Sequence, residues 1–287
     1  MAPRSSNFLL TVGATAAATA AAMVGGYMAY QQMVADQAKE PRARVLESPE
    51  DVAQELCAHV VEKAREAIEK RGVFHLAVAG GSLLDLLGGL AHHRDVVDFS
   101  KVIVSFVHYK CVAPTNAEKS NNLAKAKAKF ADAAGITKFV VPTTTTTSTG
   151  QEEDGDGSQQ AEFYARALVS ANVPHSGKYP VMDLVLLGLG TDGHVGSCHP
   201  HSVAALETSK GVTGSAPLKT GEPSSITLTI ESMNTARQTC VIACGSDKKY
   251  AVKRAMIRPA EAPRGTFPAQ SLSAPLFFLD AEAAALL

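Results

Sequence analysis

Aromatic residues are scarce in this 287-residue chain, at 6% with no tryptophan, so few side chains are available to stack on bases or sugars. An excess of charge of one sign is also lacking, because the formal net charge is −1. A nucleic-acid-binding protein usually presents a basic stripe, so this balance argues against a nucleic-acid partner. Hydrophobic residues, at 46%, are numerous enough to bury a sizeable core.

Cysteine pairs with the spacing of metal or redox motifs are missing as well. The cysteines are odd in number, are spread along the chain and contain no Cys-x-x-Cys pair. This pattern argues against a disulfide framework and favours free thiols in a reducing compartment. The five are Cys57, Cys111, Cys198, Cys240 and Cys244.

Charge is absent from a long stretch near the N-terminus, where the 31 residues between Arg4 and Asp36 carry none. Within it, residues 8–30 are mostly small or apolar, and about 20 such residues can cross a bilayer as a helix. We therefore predict an uncleaved membrane anchor within residues 1–35. The alternatives are a cleaved secretory signal, whose apolar stretch is shorter, and an organelle transit peptide, which is richer in arginine.

The rest of the chain divides into a predicted linker and one predicted domain. Residues 36–47 are mostly polar and include a proline, which is typical of a linker, and the domain follows at residues 48–287. Its first helix is predicted to begin at Ser48, a good N-cap, with Pro49 at the first helical position. Apolar residues then recur at helical spacing until Gly72.

Short apolar runs alternate with helical patterns through this domain. The runs predict strands at residues 73–79, 101–107, 139–142, 182–187, 225–230, 239–244 and 276–279. Strands that alternate with helices form a mostly parallel sheet covered on both faces. The predicted fold is therefore a three-layer, Rossmann-like α/β domain, with a low-complexity surface loop at residues 143–157.

Two glycine-rich turns each follow a buried strand, and such turns meet at the carboxyl edge of a parallel sheet, where ligands bind. Gly80-Gly81-Ser82 precedes a helical pattern, so its backbone N–H groups would form an anion site. Residues 188–193 match Gly-x-Gly-x-x-Gly, the dinucleotide fingerprint. However, the small and polar residues that follow, and then Pro200, cannot supply the amphipathic helix which that fingerprint needs. We therefore predict no dinucleotide cofactor.

Taken in order, the two turns resemble the family of 6-phosphogluconolactonase and glucosamine-6-phosphate deaminase. Leu-Gly-Leu-Gly-Thr-Asp-Gly-His at residues 187–194, with Ser197 and Pro200, is similar to the family's signature loop. The other similar segments are the turn at residues 79–82, the Ser120-Asn121 pair, Gly245 with Lys248, and residues 267–272 and 278–284, which resemble the lactonase branch. The resemblance runs from about Val52 to the C-terminus.

This resemblance implies hydrolysis of the ester in 6-phosphogluconolactone without a metal or other cofactor. His194 would be the general base that takes a proton from the attacking water, and Asp192 would orient the site. The alternative is that His194 is an ordinary polar loop residue. The residues expected to bind the sugar phosphate are Gly80, Gly81, Ser82, Lys110, Gly190 and Lys248.

Several charged positions depart from the family pattern. His108-Tyr109-Lys110 stands where the family has Asp-Glu-Arg, and a lysine lacks the bidentate fork of arginine. Ser225 replaces an arginine before the Thr-Leu-Thr strand, and Cys198-His199 replaces a usual Leu-Phe pair. Such losses fit a domain retained for structure or binding better than one retained for turnover.

Two functions are consistent with these features. In the first, the chain is an accessory subunit of a membrane complex, with the mitochondrial inner membrane as the expected location, and is held in the bilayer by residues 8–30. It would contact other subunits, bind a sugar phosphate weakly and have little or no lactonase activity. In the second, it is an active, membrane-tethered 6-phosphogluconolactonase of the pentose phosphate pathway.

Several possible metal ligands occur at the end of the signature sequence and in the loop that follows it. His194, Cys198, His199 and His201 could supply two or three zinc ligands. The sequence shows no second cluster of ligands at a suitable spacing, and histidines in such a loop are usually solvated polar residues. We therefore predict no metal.

Overall fold

A computed structural model of the chain describes residues 42–111, 122–142, 155–257 and 263–287. The predicted anchor at residues 8–30, the Ser120-Asn121 pair and most of the predicted loop at residues 143–157 lie outside these ranges. Within them, no helix combines the length and apolar character needed to cross a membrane. The anchor therefore stays a prediction.

Twelve strands lie within the described part of the chain. They are β1 (Arg42–Leu46), β2 (Phe74–Val78), β3 (Val102–Phe106), β4 (His108–Lys110), β5 (Lys138–Val140), β6 (His175–Ser176), β7 (Tyr179–Pro180), β8 (Leu184–Gly188), β9 (Val212–Ser215), β10 (Ser225–Leu228), β11 (Thr239–Ala243) and β12 (Leu276–Asp280).

The α-helices in the same ranges are α1 (Pro49–Arg71), α2 (Asn122–Ala126), α3 (Asp132–Ala134), α4 (Ser158–Ser170), α5 (Val203–Leu206), α6 (Ile230–Thr235) and α7 (Lys249–Met256). A π-helical segment, Lys127–Ala131, joins α2 to α3. The 3-10 helices are Gly81–His93, Phe99–Lys101, Ser246–Lys248 and Pro268–Ser271.

Seven strands form one parallel sheet in the order β1-β12-β11-β8-β2-β3-β5. Every residue of β2, β11 and β12 is buried, and successive side chains on a strand point to opposite faces. Both faces of the sheet are therefore covered, as expected for a parallel sheet with helices on each side. The predicted three-layer α/β fold is confirmed.

The first helix of the domain begins and ends where the sequence predicts. The Ser48 hydroxyl accepts a hydrogen bond from the Asp51 backbone N–H at 3.2 Å. Gly72 ends the helix in the left-handed conformation, with φ of 76°, and its N–H donates to the Ile68 carbonyl. The local sequence is sufficient to set both ends.

The predicted linker at residues 36–47 is wrong in its C-terminal half. Residues 42–46 form β1, which pairs in parallel with β12 at the edge of the main sheet. The sequence of β1, Arg-Ala-Arg-Val-Leu, is mostly exposed and carries no buried apolar run, so nothing local marks it as a strand. Pairing with a partner more than 200 residues away along the chain creates it.

A buried carboxylate joins the amino-terminal ends of the central strands. Asp183, which precedes β8, accepts a hydrogen bond from the His75 backbone N–H in β2 at 2.9 Å. It also accepts from Arg71 Nη2 at 2.6 Å and from Arg237 Nε at 3.1 Å. Asp183 thus holds β2 in register with β8 and joins the C-terminal end of α1 to the segment before β11.

Two smaller sheets lie outside the parallel sheet. The strands β4, β10 and β9 form an antiparallel sheet, and β6 and β7 form a hairpin. Residues 225–230 were predicted as one strand among the buried runs, and their first four residues form β10 in the smaller sheet. This sheet stands beyond the carboxyl end of β3, since β4 follows β3 after a single residue.

Candidate active site

The strand order of the main sheet reverses between β2 and β8. From β2 the chain proceeds outward through β3 and β5, then returns to β8 on the other side of β2 and continues to β11 and β12. Ligands of open α/β sheets bind at such a reversal, beyond the carboxyl ends of the strands. The two glycine-rich turns, Gly80-Gly81-Ser82 and residues 188–193, directly follow these two strands.

A cavity of about 480 Å³ opens at this position. The turn after β2, the loop after β8 and the carboxyl end of β11 line it. Most of the predicted site residues are brought together here, namely Gly80, Gly81, Ser82, Gly190, His194 and Lys248.

A second cavity of about 350 Å³ adjoins the first. The two share Gly80, Gly81, His108, His194 and Gly196 in their walls. The second cavity is lined in addition by Lys110, His199 and Ser225. The predicted site therefore extends over both cavities, with His194 on the wall that they share.

His194 and Asp192 form a hydrogen-bonded pair at the centre of the site. The distance from His194 Nδ1 to Asp192 Oδ1 is 2.6 Å, and the His194 backbone N–H donates to the same oxygen at 3.1 Å. Burial acts to raise the pKa of Asp192, but the hydrogen bonds from the His194 backbone and ring lower it below its usual value. An ionised carboxylate accepts from Nδ1–H, so the lone pair of the imidazole lies on Nε2. That nitrogen can take a proton.

Glycines make this pair possible. A Cβ on Gly190 would overlap His194 Nδ1 and would lie 2.6 Å from Asp192 Oδ1. Gly193 has φ of +89°, and a Cβ there would overlap the Phe267 ring. The loop closes through the Gly190 N–H, which donates to the His194 carbonyl at 3.0 Å. The glycines that matched the dinucleotide fingerprint therefore shape a tight loop around the histidine and carboxylate.

The small antiparallel sheet supports the same loop from the other side. The Ser197 backbone N–H donates to Thr227 Oγ1 in β10 at 3.2 Å. The Ser215 hydroxyl, in β9, donates to the Ser197 carbonyl at 3.1 Å. These contacts fix the segment that follows His194 against both strands.

A model of a known protein family covers most of the chain. Residues 47–275 match the family model for glucosamine-6-phosphate isomerases and 6-phosphogluconolactonase. The chain belongs to this family. Its relatives place it in the lactonase branch, as predicted from residues 267–272 and 278–284.

Similar proteins are found in plants and bacteria. The chain is 28% identical over 255 residues to the probable 6-phosphogluconolactonase 2 of Oryza sativa subsp. indica, which covers 85% of this chain and 89% of the relative. It is 27% identical over 252 residues to the 6-phosphogluconolactonase of Streptomyces coelicolor, covering 86% and 95%. A 6-phosphogluconolactonase structure from Shewanella baltica aligns with a TM-score of 0.69 at 24% identity, covering 85% of this chain and 99% of that one.

The two residues that stand in place of the acids of the lactonase pattern, His108 and Tyr109, have different surroundings. His108 is half-buried and lines both cavities. Burial lowers the pKa of its imidazole to about 4, and the charges of His194, His199 and Lys110 lower it further in the same direction. Tyr109 instead points into the core, where its ring meets Phe106 edge-on at 5.4 Å. A neutral imidazole thus occupies the cavity where the lactonase pattern has an acid.

The two missing arginines of the lactonase pattern converge on one place. Lys110 and Ser225 are direct partners in the pairing of β4 with β10, and both line the second cavity. The sequence separates them by more than 100 residues and shows them as independent losses. In the structure they form one site in which a single lysine supplies the positive charge.

Lys248 is placed by a contact between the two C-terminal motifs. The Asp280 carboxylate, at the end of β12, accepts hydrogen bonds from the Gly245 N–H at 3.1 and 2.9 Å. Gly245 has φ of +97°, a conformation that favours glycine, and it begins the turn that leads to Lys248 on the cavity wall. Nearby Cys244 is no nucleophile at neutral pH, because burial and the Asp280 charge raise the pKa of its thiol to about 11.

Three contributors to the site were not predicted as site residues. His108 was noted only as a departure from the family pattern, although a polar residue at a strand end is a usable signal. His199 was noted as such a departure and as a possible zinc ligand, but not as part of this site. Asn122 was not noted at all. Its Nδ2 donates to the His108 carbonyl at 2.9 Å, and its side chain fills the space beside Gly80. Asn122 thereby joins β4 to the turn after β2.

The tight fit around Gly190 predicts that Gly190→Ala disrupts the pair of His194 and Asp192. The new methyl group would push the imidazole off the carboxylate, so we expect at least a hundredfold loss of any activity that depends on His194. Thermal melting should be measured on the same sample, to show that the fold persists.

Gly188→Ala is the matched control in the same loop, because a Cβ at Gly188 would meet nothing within 4 Å. It should be far milder than Gly190→Ala in both assays. Equal losses of activity in the two variants would show that Gly190 is not required for the contact between His194 and Asp192.

Proposed function

We propose that this chain hydrolyses the ester of a phosphorylated sugar lactone, with 6-phosphogluconolactone as the substrate. The observation that carries the proposal is the position of His194, which lines a cavity together with the Gly80-Gly81-Ser82 turn and is hydrogen-bonded to Asp192 at 2.6 Å. The relatives named as 6-phosphogluconolactonases, with which the chain aligns over most of its length, support the choice of substrate.

The chemistry requires only a base and a water molecule. His194 Nε2 takes a proton as the water oxygen attacks the lactone carbonyl, and Asp192 stabilises the imidazolium that forms. The tetrahedral intermediate then breaks the bond between the carbonyl carbon and the ring oxygen. The proton held by His194 passes to that oxygen, which leaves as a hydroxyl, and the product is the open-chain carboxylic acid. The imidazole returns to its starting state.

The phosphate of the substrate binds at the turn after β2. This turn begins the 3-10 helix Gly81–His93, whose first turn contains no acidic residue, so its backbone N–H groups favour an anion. Lys248 lines one cavity and Lys110 the other, and each adds a positive charge beside the turn. Asp85 also lines the first cavity, but Lys129 neutralises it at a distance of 2.5 Å.

The accessory-subunit hypothesis has one observation in its favour, which is the loss of both guanidinium groups at Lys110 and Ser225. A lysine binds phosphate as a point charge, without the planar fork of arginine. This loss predicts weaker substrate binding and a slower enzyme, but it leaves the base and its carboxylate intact. The predicted anchor lies outside the described ranges. Membrane anchoring, a mitochondrial location and partner subunits all stay predictions.

Activity of the purified full-length chain on 6-phosphogluconolactone tests the proposed function. We expect hydrolysis above the spontaneous rate, because the base and the anion-binding turn are both in place. His194→Gln should lower kcat by about 10²- to 10⁴-fold, the usual contribution of a positioned general base, with a smaller change in KM.

His201→Asn is the control for this variant. His201 is exposed and lies outside the walls of both cavities, and asparagine tolerates its positive φ of 60°. It should hydrolyse the lactone at the parent rate. Absence of hydrolysis by the parent chain, or a His194→Gln variant as fast as the parent, would remove the proposed function and favour the accessory-subunit hypothesis.

Restoring both arginines should raise the efficiency of the enzyme. The double variant Lys110→Arg/Ser225→Arg returns two guanidinium groups to one rung of the small sheet, so kcat/KM should rise about tenfold or more, mainly through a lower KM. Steady-state kinetics at low and moderate salt would measure the gain. The gain should shrink as salt screens the charges.

Lys110→Arg/Ser225→Gln is the matched control, because it supplies a side chain at position 225 without its charge. It should gain less than the double-arginine variant. If neither variant improves KM, the phosphate does not bind near this rung.

A further inference from the structure

Three groups that commonly bind metals converge on the signature loop. Asp192, His194 and His199 each offer one donor atom, and these three atoms lie within 4.8 Å of one another. In a tetrahedral zinc site with bonds of 2.0–2.1 Å, donor atoms are roughly 3.3 Å apart. Small side-chain rotations would therefore bring the three donor atoms to the spacing of a zinc site.

His199 is the member of the cluster that distinguishes this chain from the lactonase pattern, which has an apolar residue at that position. Its ring lies 4.5 Å from that of His194, centroid to centroid, at an angle of 45°. It also lines the second cavity. With His199 beside His194 and Asp192, the loop offers three possible metal ligands where the lactonase pattern offers two.

The structure corrects the ligand set that the sequence suggests. Cys198 is fully buried, and its thiol approaches the Ala204 and Leu228 carbonyls at 3.7 Å, away from the cavities. His201 is exposed, and its backbone N–H donates to the Gly265 carbonyl. Asp192, which the sequence argument had not grouped with the histidines, takes their place.

A second observation concerns a polar nitrogen on the same cavity wall. His108 lines both cavities, and its Nδ1 is buried without a hydrogen-bond partner among the described residues. A buried polar nitrogen without a partner is costly, and a water or other group bound in the cavity would remove that cost.

We propose that Asp192, His194 and His199 form a binding site for a divalent transition metal, with Zn²⁺ as the ion that fits best. Two imidazoles and one carboxylate suit zinc, whereas Mg²⁺ and Ca²⁺ prefer sites built from oxygen ligands. With three protein ligands, one position remains open to water. The family's metal-free reaction does not use such a site.

Metal binding and hydrolysis would compete for the same side chains. An ion bound to His194 occupies a nitrogen of the general base and draws Asp192 away from it. Zinc should therefore inhibit lactone hydrolysis reversibly. This consequence rests on the proposed function, but zinc binding itself does not.

Calorimetric titration of the metal-free, full-length chain with ZnCl₂ tests the site. We expect one zinc per chain with a Kd on the order of micromolar, and no comparable heat from MgCl₂. His199→Phe, which returns the apolar residue of the lactonase pattern, should weaken zinc binding at least tenfold. His201→Asn and Cys244→Ser should bind as the parent does, because neither residue belongs to the cluster.

Zinc should also raise the melting temperature of the parent more than that of His199→Phe, which guards against a variant that is simply misfolded. No zinc binding by the parent, or equal binding by the parent and His199→Phe, would overturn the inference. Where the parent hydrolyses the lactone, added zinc should inhibit it and a chelator should reverse the inhibition, whereas hydrolysis by His199→Phe should be insensitive. A chain that binds zinc through His199 but does not hydrolyse the lactone would retain this inference and lose only the proposed function.

Discussion

The register between β2 and β8 is the constraint on which the site depends. These neighbouring strands are far apart in the sequence, and the Asp183 carboxylate fixes them at their amino ends by accepting from the His75 N–H. Because the strands are parallel, that register also sets where their carboxyl ends stand. The anion-binding turn after β2 and the signature loop after β8 therefore meet on one cavity. Removing the charged partner of a buried carboxylate such as Asp183 typically costs about 3–5 kcal/mol of folding stability.

Chemistry at this edge depends on backbone conformation as much as on side chains. Gly190 leaves the space in which His194 reaches Asp192, and the contacts of Ser197 with Thr227 and Ser215 hold the loop from the opposite side. The Asp280 carboxylate performs the corresponding task for the turn that leads to Lys248. The proposed base and the cavity-lining Lys248 are thus each held by a contact from another part of the chain.

Features set by neighbouring residues could be predicted from the sequence. The buried strands, both ends of α1 and the two glycine turns were predicted because their signals are local. The misassigned β1 shows the limit, since its polar sequence becomes a strand only through β12. The same holds for β4, which pairs with β10, and for the adjacency of Lys110 and Ser225. Resemblance to the lactonase family supplied the expected role of His194, but it could not show that His108 is a half-buried imidazole with a lowered pKa.

The departures from the lactonase pattern that reach the site all line the second cavity. The rung of Lys110 and Ser225 has lost its guanidinium groups, and His108 and His199 have brought imidazoles to the same cavity. The pair of His194 and Asp192 and the turn at Gly80-Gly81-Ser82 are retained. This division fits the proposed lactonase, with its base in place and fewer positive charges for the phosphate of the substrate.

The most direct measurement is a crystal structure of the full-length chain with 6-phosphogluconate, the product of the proposed reaction. The product's carboxylate, which derives from the lactone carbonyl, should lie within hydrogen-bond distance of His194 Nε2. Its phosphate should accept hydrogen bonds from the backbone of the turn at Gly80-Gly81-Ser82. A product bound elsewhere, or bound with its carboxylate far from His194, would contradict the assignment of this edge as a lactonase active site.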